Sequence, residues 1–259
     1  MKVMAINSSP RPAQQSKTGM MLGALVEGLR EAGAEVDLVE LRDKHVKFCL
    51  GCYACWTKTP GRCIQRDDMT RELYPQWLAS DMAVYATPLY NDGLSAAMKV
   101  FVERTLPSYE PWLDRRNGRT HHPLRGHHPA IVILSVAGMP EPANFDLLSA
   151  HVNYTFRKSG KRLWAEIYRP AAESLAAPSF AQQRADVLEA TRQAGRELVE
   201  TSAVSEKTLA RIAQPLADPE VINEGANRFW RILIEARMTP REFFSKRAGN
   251  GSGPKGERN

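Results

Sequence analysis

Four short apolar runs constrain this chain more than any other feature, because each empties into a loop rich in Ser, Thr, Pro, Gly or Asn and then into a segment with helical spacing. The runs are residues 1–6, 82–86, 130–134 and 163–168. A strand that is apolar along its whole length is one covered on both faces, and strands alternating with helices build a parallel sheet between helical layers. Residues 35–41, Glu-Val-Asp-Leu-Val-Glu-Leu, alternate polar and apolar instead. That pattern predicts a strand with one covered and one wetter face, at the edge of the sheet.

Between the strands, residues 19–32 carry Met21, Leu22, Leu25, Val26 and Leu29 at helical spacing, with Gly33 as the stop. Further helices are predicted over 69–78 with a kink at Pro75, and over 95–105, 145–156 and 180–200. Residues 207–247 read as two or three more helices, with Phe229, Trp230, Leu233 and Ile234 as their most buried candidates. The expected division is therefore an α/β domain over 1–202, a helical extension over 203–247 and a disordered Gly-rich tail over 248–259.

The first strand leads into Asn7-Ser8-Ser9-Pro10-Arg11, and the following helix opens near Ser16, Lys17 and Thr18. Unpaired N–H groups and the helix dipole favour negative charge at such a helix start, by about 0.3–2 kcal/mol for the dipole. A guanidinium and several hydroxyls add charge-assisted hydrogen bonds. Neither G-x-G-x-x-G nor the Gly-Lys-Ser/Thr of nucleoside triphosphate loops is present, so the loop suits a monophosphate. An ordinary turn in which Ser16 caps the helix is the alternative.

Strand, Ser-Pro-Arg and a Ser/Thr pair opening the first helix resemble the phosphate loop of the NADPH-dependent FMN reductase and iron–sulfur flavoprotein family. Thr87-Pro88-Leu89-Tyr90 resembles the family's Thr/Ser-Pro-x-Tyr loop, and the helix after it has the family's Met-Lys and Glu-Arg at Met98-Lys99 and Glu103-Arg104. The resemblance covers roughly residues 1–172. It implies a flavodoxin-like, doubly wound, five-stranded parallel sheet of order 2-1-3-4-5, with FMN at the switch point between strands one and three. Ser9, Arg11, Ser16, Lys17 and Thr18 would then meet the phosphate. Thr87, Pro88, Leu89, Tyr90 and Asn91 would meet the ring, chiefly through backbone N–H groups, and Ser135, Ala137 and Gly138 would form the third wall. Lys99 and Arg104 are expected on a solvated face.

The implied activity is an oxidoreductase that takes hydride from NAD(P)H through FMN and passes electrons to a small-molecule or protein acceptor. The flavin carries that chemistry, so no catalytic side chain is assigned. A flavodoxin-like electron carrier without enzymatic activity is the alternative, and the resemblance further implies a homodimer or homotetramer.

All four cysteines, Cys49, Cys52, Cys55 and Cys63, fall in one segment. Clustered cysteines in a reducing compartment point to metal or redox chemistry, and Cys-x2-Cys-x2-Cys is the opening of cluster loops. A fourth Cys followed by Asp67-Asp68-Met69 resembles the iron–sulfur flavoproteins, whereas the gap through Trp56, Pro60 and Gly61 departs from the ferredoxin spacing. A [4Fe–4S] cluster, reduced thiols and zinc stay open. Asp67 and Asp68 read as a helix N-cap and a first-turn acid.

The net charge of +6 is dispersed among acids, which argues against a nucleic-acid partner. No apolar run is long enough to span a bilayer, and residues 1–6 are too short for a signal segment, so a cytoplasmic protein is expected. His121, His122, His127 and His128 lack helical spacing and read as solvated loop residues rather than metal ligands.

Overall fold

In this computed structural model, residues 1–12, 15–116, 118–157 and 162–249 are described. The chain divides into two compact units, Met1–Leu216 and Ala217–Asn259.

The first unit is built on a five-stranded parallel sheet of β1 (Lys2–Asn7), β2 (Glu35–Glu40), β3 (Met82–Pro88), β6 (Ala130–Val136) and β7 (Leu163–Arg169), in the order β2-β1-β3-β6-β7. This is the predicted 2-1-3-4-5 pattern, since β4 (Asp114–Arg116) and β5 (Arg119–His121) form a separate antiparallel hairpin in the excursion before β6. Every residue of β3 and β6 is buried, as their unbroken apolar runs require, while β2 and β7 take the two edges with wetter patterns.

One face of the sheet is covered by α1 (Lys17–Glu31) and α6 (Ala181–Thr201). They cross at glycines: a Cβ on Gly28 would lie 1.8 Å from the Arg192 carbonyl oxygen, and one on Gly195 would lie 2.4 Å from that of Leu25. The other face holds an aromatic core of Trp77, Tyr85, Phe101 and Phe156, in which Trp77 Nε1 donates to the Tyr85 hydroxyl at 2.9 Å. Around it run α2 (Ala54–Thr57), α3 (Tyr74–Leu78), α4 (Ala96–Glu103) and α5 (Asp146–Val152). The kink expected at Pro75 takes the form of a π turn over Met69–Leu73, closed by Tyr74 N–H on the Met69 carbonyl. Pro75 has no N–H to give the Arg71 carbonyl, so the helix widens there.

After α6, α7 (Glu206–Ile212) belongs to the first unit. Arg169 holds its end, donating to the carbonyls of Ile212 and Gln214 at 2.7 Å each. Among the described residues no carboxylate pairs with that buried guanidinium, and burial lowers its pKa to about 10. The second unit contains α8 (Pro219–Ala236) and α9 (Pro240–Gly249). Of the four residues expected to be buried there, only Leu233 is: Phe229 is half-buried, and Trp230 and Ile234 are exposed. Ile222, Phe229 and Leu233 share one stripe of the helix, and Trp230 and Ile234 lie about a quarter to a third of a turn away from it. Within the tail expected at 248–259, residues 248 and 249 complete α9, and residues 250–259 lie outside those described.

Candidate functional site

The site begins at the end of β1. Asn7, fully buried, donates its Nδ2 to both carboxylate oxygens of Glu40 at 3.1 Å and accepts the Ser9 N–H on Oδ1 at 3.0 Å, which bends the chain out of the sheet. Ser8 is spent on the scaffold, because its N–H and hydroxyl both reach the Ala86 carbonyl of β3. Ser95, the N-cap of α4, donates to Ser8 Oγ at 2.8 Å and gives its own N–H to Thr87 Oγ1 at 3.0 Å. The loops after β1 and β3 are thus tied together by buried hydroxyls.

An open surface pocket lies between these loops and the one after β6. From the first loop it is lined by Ser9, Arg11, Lys17 and Thr18, from the second by Pro88, Leu89 and Tyr90, and from the third by Ala137 and Gly138. All nine were predicted from the sequence. Lys17 and Thr18 open α1, where backbone N–H groups have no acceptor within the helix. Hydroxyls, an ammonium, a guanidinium and a helix start therefore converge at one end, with Leu89, Val136 and Ala137 as an apolar wall.

Four predicted residues stand outside the lining. Ser16 accepts the Gly19 N–H at 2.8 Å as the cap of α1, and Thr87 is buried in the ties to Ser95. Ser135 is buried one step before the wall, its hydroxyl without a partner among the described residues. Asn91 is exposed in a tight turn, where it and Asp92 adopt φ of 46° and 58°. The expectation that backbone N–H groups of the second loop face a ligand needs correction. Leu89 N–H is bonded to the Val136 carbonyl at 2.8 Å and Tyr90 N–H to that of Gly93 at 3.2 Å, because the loop needs those amides to close its turn and fasten itself to β6.

Sequence reasoning missed Val136, Ala172 and Glu173 in the lining. Glu173 forms an ion pair with Arg11 across the mouth, both side chains about half exposed. Its only signal was an acid shortly after a strand's C-terminal end. Arg42 also reaches this loop, donating to the Arg11 carbonyl at 2.6 Å.

The four cysteines line a second, shallow pocket, together with Arg104 at the end of α4 and Leu106 and Pro107 just after it. Gly61 N–H on the Cys55 carbonyl, at 2.9 Å, closes the turn that returns Cys63 to the others despite the long gap. Burial pushes the Cys55 thiol's pKa up, and Cys63, Cys49 and Cys52 push it the same way, as crowded sulfurs do. Among the described residues no three His, Cys, Asp or Glu side chains are placed as an ion's ligands, so metal binding would require the sulfurs to turn inward.

Two expectations about charge fail here. Arg104 is buried rather than on a solvated face, pairing with Asp67 at 2.5 Å, whereas Lys99 does sit in the open beside Glu103. Asp67 keeps its capping role, accepting the Thr70 N–H, but its chief partner is Arg104. Burial works against the Asp67 charge; Arg104 and the amides of Lys47 and Thr70 outweigh it and hold the carboxyl at about 2. His128 is likewise buried, bonded to the Ser108 carbonyl, and His122 and His127 also use a ring nitrogen on a main-chain carbonyl. No helix among the described residues is long and apolar enough to cross a membrane.

A family model described as NADPH-dependent FMN reductase matches residues 1–142. An iron–sulfur flavoprotein of Archaeoglobus fulgidus is 34% identical over 142 residues, 54% of this chain and 58% of its own, and one of Methanocaldococcus jannaschii is 32% identical over 107, 41% and 53%. The chain thus spans about half the length of the curated relatives it matches. Among solved structures, an NAD(P)H:quinone oxidoreductase from Methanothermobacter marburgensis aligns with a TM-score of 0.57 at 18% identity, covering 76% of this chain and 96% of its own. An FMN-dependent NADH-azoreductase from Bacillus anthracis, in complex with FMN, gives 0.56 at 14%, covering 76% and 99%. These two likenesses concern the fold.

Proposed function

Because the chain belongs to the NADPH-dependent FMN reductase family, we propose that it binds FMN between the loops after β1, β3 and β6 and uses it to move electrons from NAD(P)H to an acceptor. The observation that carries this reading is the pocket itself, with cations and a helix start at one end and an apolar wall at the other, at the strand-order switch point of a parallel sheet. Thr18 and Ser9 offer hydroxyls, Lys17 and Arg11 offer charge, and the first amides of α1 complete a phosphate cradle. Leu89 and Ala137 exclude water along the wall. When bound, FMN supplies acceptance of a hydride and release of its electrons singly or in pairs. No side chain of this chain needs to take or give a proton for that chemistry.

The second pocket extends the proposal. Four thiols and a guanidinium suit a [4Fe–4S] cluster, which Cys49, Cys52, Cys55 and Cys63 would hold and which would exchange single electrons. The chain is further proposed to assemble as two or four copies, with the exposed Trp230 and Ile234 of α8 as candidate contacts.

Purification without oxygen, followed by an absorption spectrum and titration with NADH and NADPH, tests the reading. Flavin absorbance bleached by one equivalent of either nicotinamide is the expected result. A colourless protein that takes up no FMN would overturn it. Bound flavin that bleaches only with a reduced protein partner would make the chain a carrier rather than an enzyme.

A further inference from the structure

Arg104 is the one cation lining the cysteine pocket, and it is nearly sealed from solvent, with 1% of its side chain exposed. Its guanidinium donates to the Lys47 carbonyl at 2.6 Å, to both oxygens of Asp67 at 2.5 and 3.1 Å, and to Thr70 Oγ1 at 3.1 Å. It also donates to Cys63 Sγ, at 3.6 Å. A buried ion pair returns in attraction about what its desolvation costs, so this one is weakly explained as a source of stability. What it supplies is position. One rigid fork, standing at the C-cap of α4, fastens the segment before the first cysteine, the fourth cysteine and the turn after it.

We propose that Arg104 is the positioning residue of the cysteine site. Its N–H on Cys63 Sγ holds the fourth thiol in the pocket that the other three line, across the long sequence gap, and that hydrogen bond raises the electron affinity of whatever the four sulfurs bind. The second half rests on the cluster reading; the first does not. Hydrogen bonds and charge beside cluster sulfurs are recognised means of setting potential. Asp67 in turn fixes the guanidinium, which Lys could not replace, because an ammonium lacks the planar fork that meets a carboxylate and a thiol together.

Removing Arg104 alone would leave a buried carboxylate unpaired, so the test uses the double variant Asp67→Asn/Arg104→Gln, with Cys63→Ala as reference and circular dichroism as the control for folding. Cobalt(II) added to the metal-free proteins without oxygen reports thiolate number through its sulfur-to-metal charge-transfer bands. Wild type should show a stronger band than Cys63→Ala, and the double variant should resemble Cys63→Ala, with cobalt affinity down about tenfold. A double variant matching wild type in band and within twofold in affinity would overturn the proposal. So would a wild type indistinguishable from Cys63→Ala, because Cys63 would then not stand with the other thiols.

Iron reconstitution is the second arm. The double variant's one-electron equilibrium should move about tenfold toward the oxidised form, a shift of about 59 mV to lower potential; less than a twofold change would overturn the electronic half. If wild type takes up no iron, the cluster reading fails, and the cobalt result alone decides the positioning.

Discussion

Arg11 and Glu173 make the sharpest test of the phosphate cradle, because the structure shows them paired across the pocket mouth, and a phosphate and Glu173 cannot both have Arg11 to themselves. Arg11→Ala should weaken FMN by about 1.5–3 kcal/mol, the worth of a hydrogen bond to a charged group, or about 10–150-fold. Glu173→Gln should act in the opposite sense. It frees Arg11 from an exposed ion pair worth about 0–1 kcal/mol. It also removes a carboxylate whose repulsion of a phosphate some 5–8 Å away is on the order of 1 kcal/mol in a water-like dielectric. The sum, about 1–2 kcal/mol, predicts FMN binding about five- to thirtyfold tighter. In Arg11→Ala/Glu173→Gln the loss should be smaller than in Arg11→Ala alone, because the unpaired carboxylate is gone; the two changes are not additive.

Fluorescence titration of the flavin-free proteins with FMN and with riboflavin measures all four corners of this cycle. Riboflavin lacks the phosphate and should bind alike in every variant. The gain from Glu173→Gln should also shrink at about 0.5 M salt, since both charges are exposed and screened. If Glu173→Gln weakens FMN as Arg11→Ala does, Glu173 orients Arg11 for the phosphate instead of competing with it. If riboflavin suffers equally, Arg11 does not address the phosphate at all.

Gly28→Ala should cost about 3 kcal/mol or more, lowering the melting temperature by about 6–12 °C, because its Cβ would meet the Arg192 carbonyl of α6 at 1.8 Å; an unchanged melting curve would mean the α1–α6 crossing is looser than described. The Asp67 carboxyl, held at about 2 against an ordinary 3.8, stabilises fully above about pH 4 and loses about 2 kcal/mol as pH falls from 4 to 2. Asp67→Asn should flatten the stability profile over that window, and parallel profiles would refute the assignment. Asn91→Ala should cost about 1 kcal/mol, since alanine tolerates φ of 46° less well than asparagine; a variant as stable as the parent would show that the turn does not need the left-handed form.

What the sequence revealed and what it hid divide along physical lines. The apolar runs of β1, β3 and β6 have no other role open to them than strands covered on both faces, so sheet order and the shared edge followed, and nine of the thirteen predicted lining residues lie on that edge. Ser16 and Thr87 stand outside the lining, and the sequence could not show it, because a hydroxyl beside a helix start looks the same whether it serves a ligand or caps the helix. Only coordinates tell which N–H it meets, and here those are Gly19 and Ser95. Leu89 and Tyr90 line the pocket, but the sequence could not show that their amides are spent on the loop's own closure and its tie to β6.

Arg104 was hidden for a different reason. On a helix with Met98 and Phe101 buried and Lys99 and Glu103 exposed, a charged residue at 104 reads as one more solvated side chain, and its spacing from Phe101 was not enough to bring it inward. Its partner Asp67 lies 37 residues away and has a complete local explanation as a cap, so neither residue advertises the other. The consequence reaches both pockets. Eight-residue α4 begins two residues after the Tyr90–Gly93 turn and ends at its C-cap Arg104, so about 12 Å of helix separates the loop after β3 from the guanidinium at the cysteine pocket. A helix locked at its start by Ser95 on Ser8 and at its end by Arg104 on Asp67 leaves little freedom in that spacing. The buried ion pair therefore makes most sense as a device that fixes the spacing between the two pockets.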